Sequence, residues 1–323
     1  MSQHSQYTHA NEIVEKINLI LGKFEGYRSL HADGRLYKGI FRANENASKY
    51  SRAVHFSGNE IPVSIRFSKG GGDPYAHFNA TVGMAVRFYL PDGRVTNLVM
   101  LSQKLFIANT VEQFRELLDA GLPTEPGGKP NLEGLKAFLA KNPNSAKVFQ
   151  MRAESPAPIS FANTEFNSIH AFLLSNNKKA VTPVRFHWEP TDGIKGQPVE
   201  NLSDKDIHIL YDELEERLGQ QPVTFNLVVE LAESGDPLND ATALWPEQRK
   251  RVIIGTLSVI HAASEKEFGD TVMNHDPTAL TDGIDVTDDP IIQIRRGVYE
   301  VSAAQRSGGW HNQCPFGFGR GSN

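Results

Sequence analysis

The sequence reads LYKGIFRA at residues 36–43, PVSIRFS at 62–68, VGMAVRFYL at 82–90 and RVTNLVML at 94–101. These four runs are short and rich in β-branched and aromatic residues, which is typical of strands. Turn-forming sequences separate them, among them GGGDP at 70–74 and PDG at 91–93. We therefore expect consecutive strands of an antiparallel sheet or barrel.

The rest of the chain continues this pattern and adds helices. Further strand-like runs lie at 170–175, 183–190, 224–232 and 253–262. Helical patterns lie at 10–23, 111–121, 132–142 and 203–219. Only a short Pro/Gly loop interrupts the series, so we predict one β-rich α+β domain.

Composition excludes several classes of protein. The 323 residues carry a formal net charge of −5, which argues against a nucleic-acid binder. No apolar run approaches the roughly 18 residues of a membrane span, and the first ten residues are polar, unlike a secretory signal. Cys314 is the only cysteine, so no intrachain disulfide and no cysteine-built zinc site can form. We expect a soluble cytoplasmic protein.

Two arginine-containing stretches are candidates for a functional site. RSLHADG (28–34) places Arg28 three residues before His31, and IRRGVYEVSAAQR (294–306) places Arg295 four residues before Tyr299. On a helix, this second spacing puts guanidinium and phenol on one face. Nearby positive charge favours phenolate, which is a ligand for ferric haem. From spacing alone, ordinary surface arginines remain the simpler interpretation.

The order of motifs is more informative than any single one. RSLHADG, IRFSKGGG (65–72), GMAVRFYLPDG (83–93), KLFIANTVEQF (104–114) and IRRGVYEVSAAQR follow one another as they do in the haem catalases. The sequence resembles this family and, within it, the short catalase-related peroxidases. The resemblance runs from about residue 24 to 306. It implies a single catalase-type haem domain over 1–323, with an antiparallel β-barrel core, surrounding helices and a loosely ordered tail at 307–323.

The resemblance also implies a set of site residues around haem b and its iron. His31 would be the distal acid–base catalyst, Ser68 would orient its imidazole, and Tyr299 would be the proximal iron ligand. Arg295 would hold the phenolate form of Tyr299. The remaining cofactor-binding residues would be arginines that meet the haem propionates and phenylalanines on the distal side: Arg28, Arg66, Arg306, Phe106 and Phe114.

Departures from the family pattern bear on the reaction. Catalases carry Gly-Asn-Asn before the phenylalanine run, and the first of these asparagines assists peroxide binding. Met100-Leu101-Ser102 stands in the same three places here, so that amide is absent. Ser102 is the nearest polar substitute. Losing a donor aimed at the substrate oxygen weakens transition-state stabilisation. We therefore expect a haem-dependent peroxidase that uses hydrogen peroxide or an organic hydroperoxide, with weak or absent catalase activity.

Alternative functions remain open at this point. The expected partners are a peroxide and a small organic substrate, and a short relative of this family could form a homodimer. One alternative is an isomerase of fatty-acid hydroperoxides similar to allene oxide synthase, but Leu30 stands where such enzymes carry threonine. A metabolite-tailoring haem oxidase is a related possibility. A third is a non-catalytic haem-binding protein, which would need Tyr299 but not His31.

Overall fold

The computed structural model describes residues 3–307. Cys314 and all but the first residue of the predicted tail lie outside this range. Twelve strands occur in the described part: β1 (Gly34–Ala43), β2 (Glu60–Lys69), β3 (Val82–Tyr89), β4 (Val95–Leu101), β5 (Ala157–Pro158), β6 (Phe166–Asn167), β7 (Phe172–Ser175), β8 (Val181–Pro190), β9 (Gly196–Gln197), β10 (Val223–Leu231), β11 (Arg251–Ala263) and β12 (Ile284–Val286). Eight α-helices accompany them in the same range: α1 (Gln3–Leu21), α2 (Ala47–Tyr50), α3 (Val111–Gly121), α4 (Leu132–Lys141), α5 (Pro143–Glu154), α6 (Glu200–Ser203), α7 (Ile209–Leu218) and α8 (Pro290–Arg306).

Eight strands close into an antiparallel barrel. Hydrogen-bonded neighbours follow the order β10-β11-β1-β2-β3-β4-β6-β8, and β8 pairs with β10 to complete the ring. In that closing pair Trp188 lies opposite Leu227. Closure pairs the edges that an open sheet would leave exposed. The predicted α+β class with an antiparallel barrel core is confirmed.

The barrel interior is filled by aromatic rings. Phe41 and Phe88 meet edge to face with ring centroids 5.2 Å apart, and Phe67 stacks on Phe161 at 4.8 Å. Because side chains alternate along a strand, the neighbours of Phe67 on β2 point away from this core. Those neighbours are Arg66 and Ser68, and both line a cavity on the other face of the strand. The strand's periodicity thus presents polar groups at the site.

A second, smaller core joins the helices to each other. Ile13 and Ile17 of α1 pack with Phe114 of α3 and with Ile291 and Ile294 of α8. These residues recur at helical spacing, so each helix buries one apolar stripe. Helix α1 is thereby held against α8, the helix that carries the predicted tyrosine ligand.

Several helices differ from the sequence-based expectation. The stretch predicted as one helix at 203–219 shares only Ser203 with α6 and is otherwise helical only in α7, because the Asp206 carboxylate accepts a hydrogen bond from the His208 backbone N–H at 2.7 Å. A side chain that bonds the backbone in this way competes with helix hydrogen bonds. Helices α2 and α5 were not predicted, and α1 begins at Gln3, ahead of its predicted start at residue 10. Among residues 3–307, no helix has the length and apolar character needed to cross a bilayer.

Candidate active site

A cavity is lined by strands β2, β3 and β4 and by helices α1, α3 and α8. Its walls are mainly apolar, with a small number of polar side chains. All but one of the predicted site residues contribute to these walls: Arg28, His31, Ser68, Arg66, Phe106, Phe114, Arg295, Tyr299 and Arg306. The fold therefore gathers residues that lie up to 278 positions apart in the chain.

His31 and Ser68 form the first polar pair of the cavity. The His31 Nδ1 lies 3.1 Å from the Ser68 Oγ. Burial, followed by the charges of Arg66, Arg295 and Arg152, lowers the pKa of His31 to about 3. Its imidazole is therefore neutral at physiological pH and can accept a proton. The residue has a φ of 52°, a left-handed conformation that is uncommon outside glycine and recurs at functional sites.

Gly83 provides the room for this pair. It lies opposite Ser68 in the pairing of β3 with β2. A Cβ at Gly83 would lie 2.7 Å from the Ser68 Oγ and 3.0 Å from the His31 Nδ1. Both distances are shorter than van der Waals contact, so only glycine lets the imidazole approach this strand.

Tyr299 and Arg295 form the second polar pair. They lie one helical turn apart on α8, and the Arg295 Nη2 donates a hydrogen bond to the phenol oxygen at 2.8 Å. Asp289 caps this helix by accepting from the Ile291 backbone N–H at 2.8 Å, and Pro290 follows at the first helical position. The capped start of α8 thus fixes the position of Tyr299 in the cavity wall.

Three arginines cluster in the same cavity without a carboxylate partner. Arg28 donates to the Met273 carbonyl at 2.7 Å, Arg66 to the His31 carbonyl at 3.1 Å, and Arg306 to the Met273 carbonyl at 3.4 Å. Within residues 3–307, no carboxylate forms an ion pair with any of them. Burial lowers the pKa of all three, and for Arg28 the charges of the other two add to the shift. Arg66 is buried and the other two are half-buried, and positive charge of this kind without a carboxylate partner suits an anionic ligand.

The two predicted phenylalanines meet inside the cavity, whereas the predicted serine does not reach it. The rings of Phe106 and Phe114 lie 5.2 Å apart. The Ser102 hydroxyl donates to the Ala80 carbonyl at 3.1 Å and accepts from the Val82 backbone N–H at 3.0 Å. It is thereby engaged with the backbone. Leu101, the last residue of β4, lies opposite Gly83 and lines the cavity instead.

Other residues at the site were missed by sequence reasoning. His170 and Asp289 are both buried, and the His170 Nδ1 lies 2.7 Å from the Asp289 carboxylate. Burial lowers the pKa of His170, so the neutral ring donates to the carboxylate that caps α8. The Asp-Pro sequence could have signalled the cap, but nothing in the sequence indicates its histidine partner. His275 also lines the cavity, in a segment with no recognisable pattern.

Comparison with known proteins identifies the family. A family model named catalase matches residues 23–318. The chain belongs to the catalase family. The resemblance inferred from motif order is confirmed, as is the assignment to the catalase-related oxidoreductases.

Similar proteins include two short members of the catalase family. A catalase-related peroxidase of Synechococcus elongatus is 34% identical over 301 residues, covering 93% of this chain and 89% of that protein. One from Mycolicibacterium paratuberculosis is 34% identical over 301 residues, covering 92% and 95%. The crystal structure of a fungal catalase aligns with a TM-score of 0.77 at 18% identity, covering 87% of this chain and 60% of that one. This last similarity supports the fold alone.

Proposed function

We propose that this protein is a haem-dependent peroxidase that acts on hydrogen peroxide or an organic hydroperoxide, with weak or absent catalase activity. One observation carries the proposal. A single cavity brings together a neutral imidazole held by a serine and a tyrosine held by an arginine, beside three unpaired arginines. An acid–base group and an iron ligand facing one space are what peroxide chemistry at haem requires.

The residues present fit haem as the cofactor. The unpaired guanidinium groups of Arg28, Arg66 and Arg306 would meet its propionates, because carboxylates would neutralise their buried charge. Tyr299 would hold the iron through its phenol oxygen, which already accepts a hydrogen bond from Arg295. When bound, haem iron supplies the redox centre at which the peroxide O–O bond is broken.

His31 would move the proton of the peroxide. In the tautomer that this role requires, the Nδ1–H would donate to the Ser68 oxygen 3.1 Å away, which would leave the lone pair of Nε2 free to accept. Nε2 takes the proton from the hydroxyl end of the peroxide and returns it to the oxygen that leaves as water or alcohol. Ser68 holds the ring during both transfers, and the depressed pKa returns the imidazole to its neutral form.

The apolar walls favour an organic hydroperoxide and disfavour rapid dismutation of hydrogen peroxide. Leu30, Val99, Met100 and Leu101 line the cavity near its polar groups. Leu101, on the cavity face of β4, offers no hydrogen-bond donor, and the Ser102 hydroxyl is engaged with the backbone. Apolar walls bind the carbon chain of an organic substrate, whereas a missing donor slows a reaction that depends on one.

The test combines haem binding with turnover. The purified protein is expected to bind one equivalent of haem with a high-spin ferric absorption spectrum, and Tyr299→Phe is expected to alter or lose it. Cumene hydroperoxide should be consumed by wild type with an aromatic reductant, and His31→Ala should lower that rate by about 10²–10⁴-fold. A wild type that binds no stoichiometric haem would refute the proposal. Haem binding with equal inactivity of both proteins would instead indicate a non-catalytic haem-binding protein.

A further inference from the structure

His275 lies in the cavity wall at the end that carries the arginine cluster. Its side chain is 2% exposed, and both it and its neighbour Asn274 line the same space as His31 and Tyr299. The functional roles described so far make no use of it.

The backbone around His275 is held by three arginines. The Met273 carbonyl accepts hydrogen bonds from Arg28 at 2.7 Å and from Arg306 at 3.4 Å. The Asn274 carbonyl accepts one from Arg87. Because charged donors hold two consecutive carbonyls, the position of the His275 ring is set before any ligand enters.

The ring itself has no hydrogen-bond partner among residues 8–307, whose side chains the structure describes. Both Nδ1 and Nε2 are buried and unpaired. Leaving a buried polar group unpaired is unfavourable, and buried polar groups in native proteins nearly always have a partner. The buried His170 has one, since its Nδ1 meets Asp289. A ligand in the cavity would supply the partner that His275 lacks.

The surroundings of the ring indicate the charge of that ligand. Burial lowers the pKa of His275 well below its ordinary value, and the next contributions come from Arg28, Arg87, Arg66 and Arg306. The imidazole is therefore neutral and retains one N–H donor. It faces the end of the cavity where positive charge is unpaired, so the group that it meets is an anionic acceptor.

We propose that His275 donates a hydrogen bond to a carboxylate of the bound cofactor, beside the guanidinium groups of Arg28 and Arg306. This inference rests on the proposed function, because it takes the cavity to be the haem site. His275 is accordingly a positioning residue, which fixes the cofactor through its side chain and takes no part in proton transfer.

The test compares two ligands that differ only at their carboxylates. Apoprotein is titrated with haem and with haem dimethyl ester, whose esters carry no negative charge. His275→Phe is expected to weaken haem binding on the order of tenfold or more, because a hydrogen bond to a charged group is lost. Binding of the dimethyl ester should change by less than about twofold. His275→Gln, which keeps an N–H donor, should recover part of the haem affinity.

His55→Phe is the matched control. His55 is equally buried, and neither of its ring nitrogens has a partner among residues 8–307. It packs between Phe56 and Phe88 at centroid distances of 4.2 and 4.8 Å, and it does not line the cavity. Its replacement should leave the affinity for both porphyrins unchanged.

Each contrary result has a distinct meaning. Unchanged haem affinity in His275→Phe, or equal loss for both porphyrins, would overturn the role of His275 at the carboxylate while leaving the proposed function intact. Failure of the wild type to bind either porphyrin would overturn the proposed function and this inference with it.

A measurement on the wild type covers the case in which His275→Phe does not fold. In protein labelled with ¹⁵N-histidine, gallium protoporphyrin should produce a slowly exchanging ring N–H signal that its dimethyl ester does not produce. The signal is assigned to His275 by its absence from His275→Gln. Identical spectra with both porphyrins would overturn the inference.

Discussion

Replacing Gly83 by alanine should disrupt the pair of His31 and Ser68 without touching either residue. The new Cβ would lie 2.7 Å from the Ser68 Oγ, 3.0 Å from the His31 Nδ1 and 3.1 Å from its Cε1. Ser68 could relieve its contact by rotating, but the rotation would break its 3.1 Å hydrogen bond to the imidazole. The ring would still have to move to restore van der Waals distance.

The expected loss of unfolding free energy in Gly83→Ala is the sum of two costs. Overpacking a filled site costs about 1–3 kcal/mol of unfolding free energy. Loss of a buried hydrogen bond adds roughly 0.5–1.5 kcal/mol. Together they predict a loss of about 2–4 kcal/mol. For turnover, displacing the proton acceptor by up to about 1 Å can cost on the order of 10²-fold.

Urea unfolding of the apoprotein measures the first effect, and hydroperoxide consumption by the haem-loaded protein measures the second. Gly121→Ala is the control, because its Cβ would lie 3.4 Å from Ile20 and Leu135, which is ordinary contact. It should leave both quantities nearly unchanged. The double variant Ser68→Ala/Gly83→Ala should regain part of the stability but not the turnover, since the closest clashing atom is removed and the orienting hydroxyl is lost.

Wild-type stability and turnover in Gly83→Ala would refute this reasoning. That result would mean that the imidazole has space to retreat and that its contact with the strand does not position it. A stability loss with unchanged turnover would refute the link between the position of His31 and the reaction.

Three further predictions follow from the same structure. Because the pKa of His31 is about 3, the rate of hydroperoxide consumption should stay nearly constant from pH 8 to 5. An imidazole with the ordinary pKa would lower that rate about tenfold by pH 5.5, so a fall centred near pH 6.5 would contradict the role of His31 as a neutral proton acceptor. Burial lowers the pKa of His55 from 6.5 to about 3, so the unfolded chain binds more protons than the folded protein between these pH values. The free energy of unfolding therefore decreases as the pH is lowered, and His55 accounts for a decrease of about 2 kcal/mol between pH 8 and 5. His55→Phe should remove that share of the acid sensitivity in urea unfolding at pH 8 and 5, and an unchanged pH dependence would count against it. Leu101 lies opposite Gly83 on the face of the sheet that carries Ser68, so Leu101→Asn should raise oxygen release from hydrogen peroxide about tenfold by returning a donor to the cavity. No increase in a folded, haem-loaded variant would show that the missing donor at residue 101 does not limit dismutation.

Local structure was largely readable from the sequence. The runs at 36–43, 62–68 and 82–90 became strands within two residues of their expected limits, because alternation of side chains encodes a strand locally. Arg295 and Tyr299 likewise meet because a helix brings residues four apart onto one face. Motif order then led to the family.

Tertiary structure alone decided the contacts between distant segments. The hydrogen bond between Ser68 and His31 spans 37 positions, and the contact of His170 with Asp289 spans 119. Neither has a periodic signature, since both depend on how the closed barrel places loops against α8. The position of Ser102 also depends on tertiary structure, because its hydroxyl forms hydrogen bonds with the backbone of Ala80 and Val82. The pattern of side chains along the sequence thus determines the helices, the strands and the candidate site residues. Closure of the barrel determines which of those residues share a cavity, because closure sets the distances between segments that are far apart in the sequence.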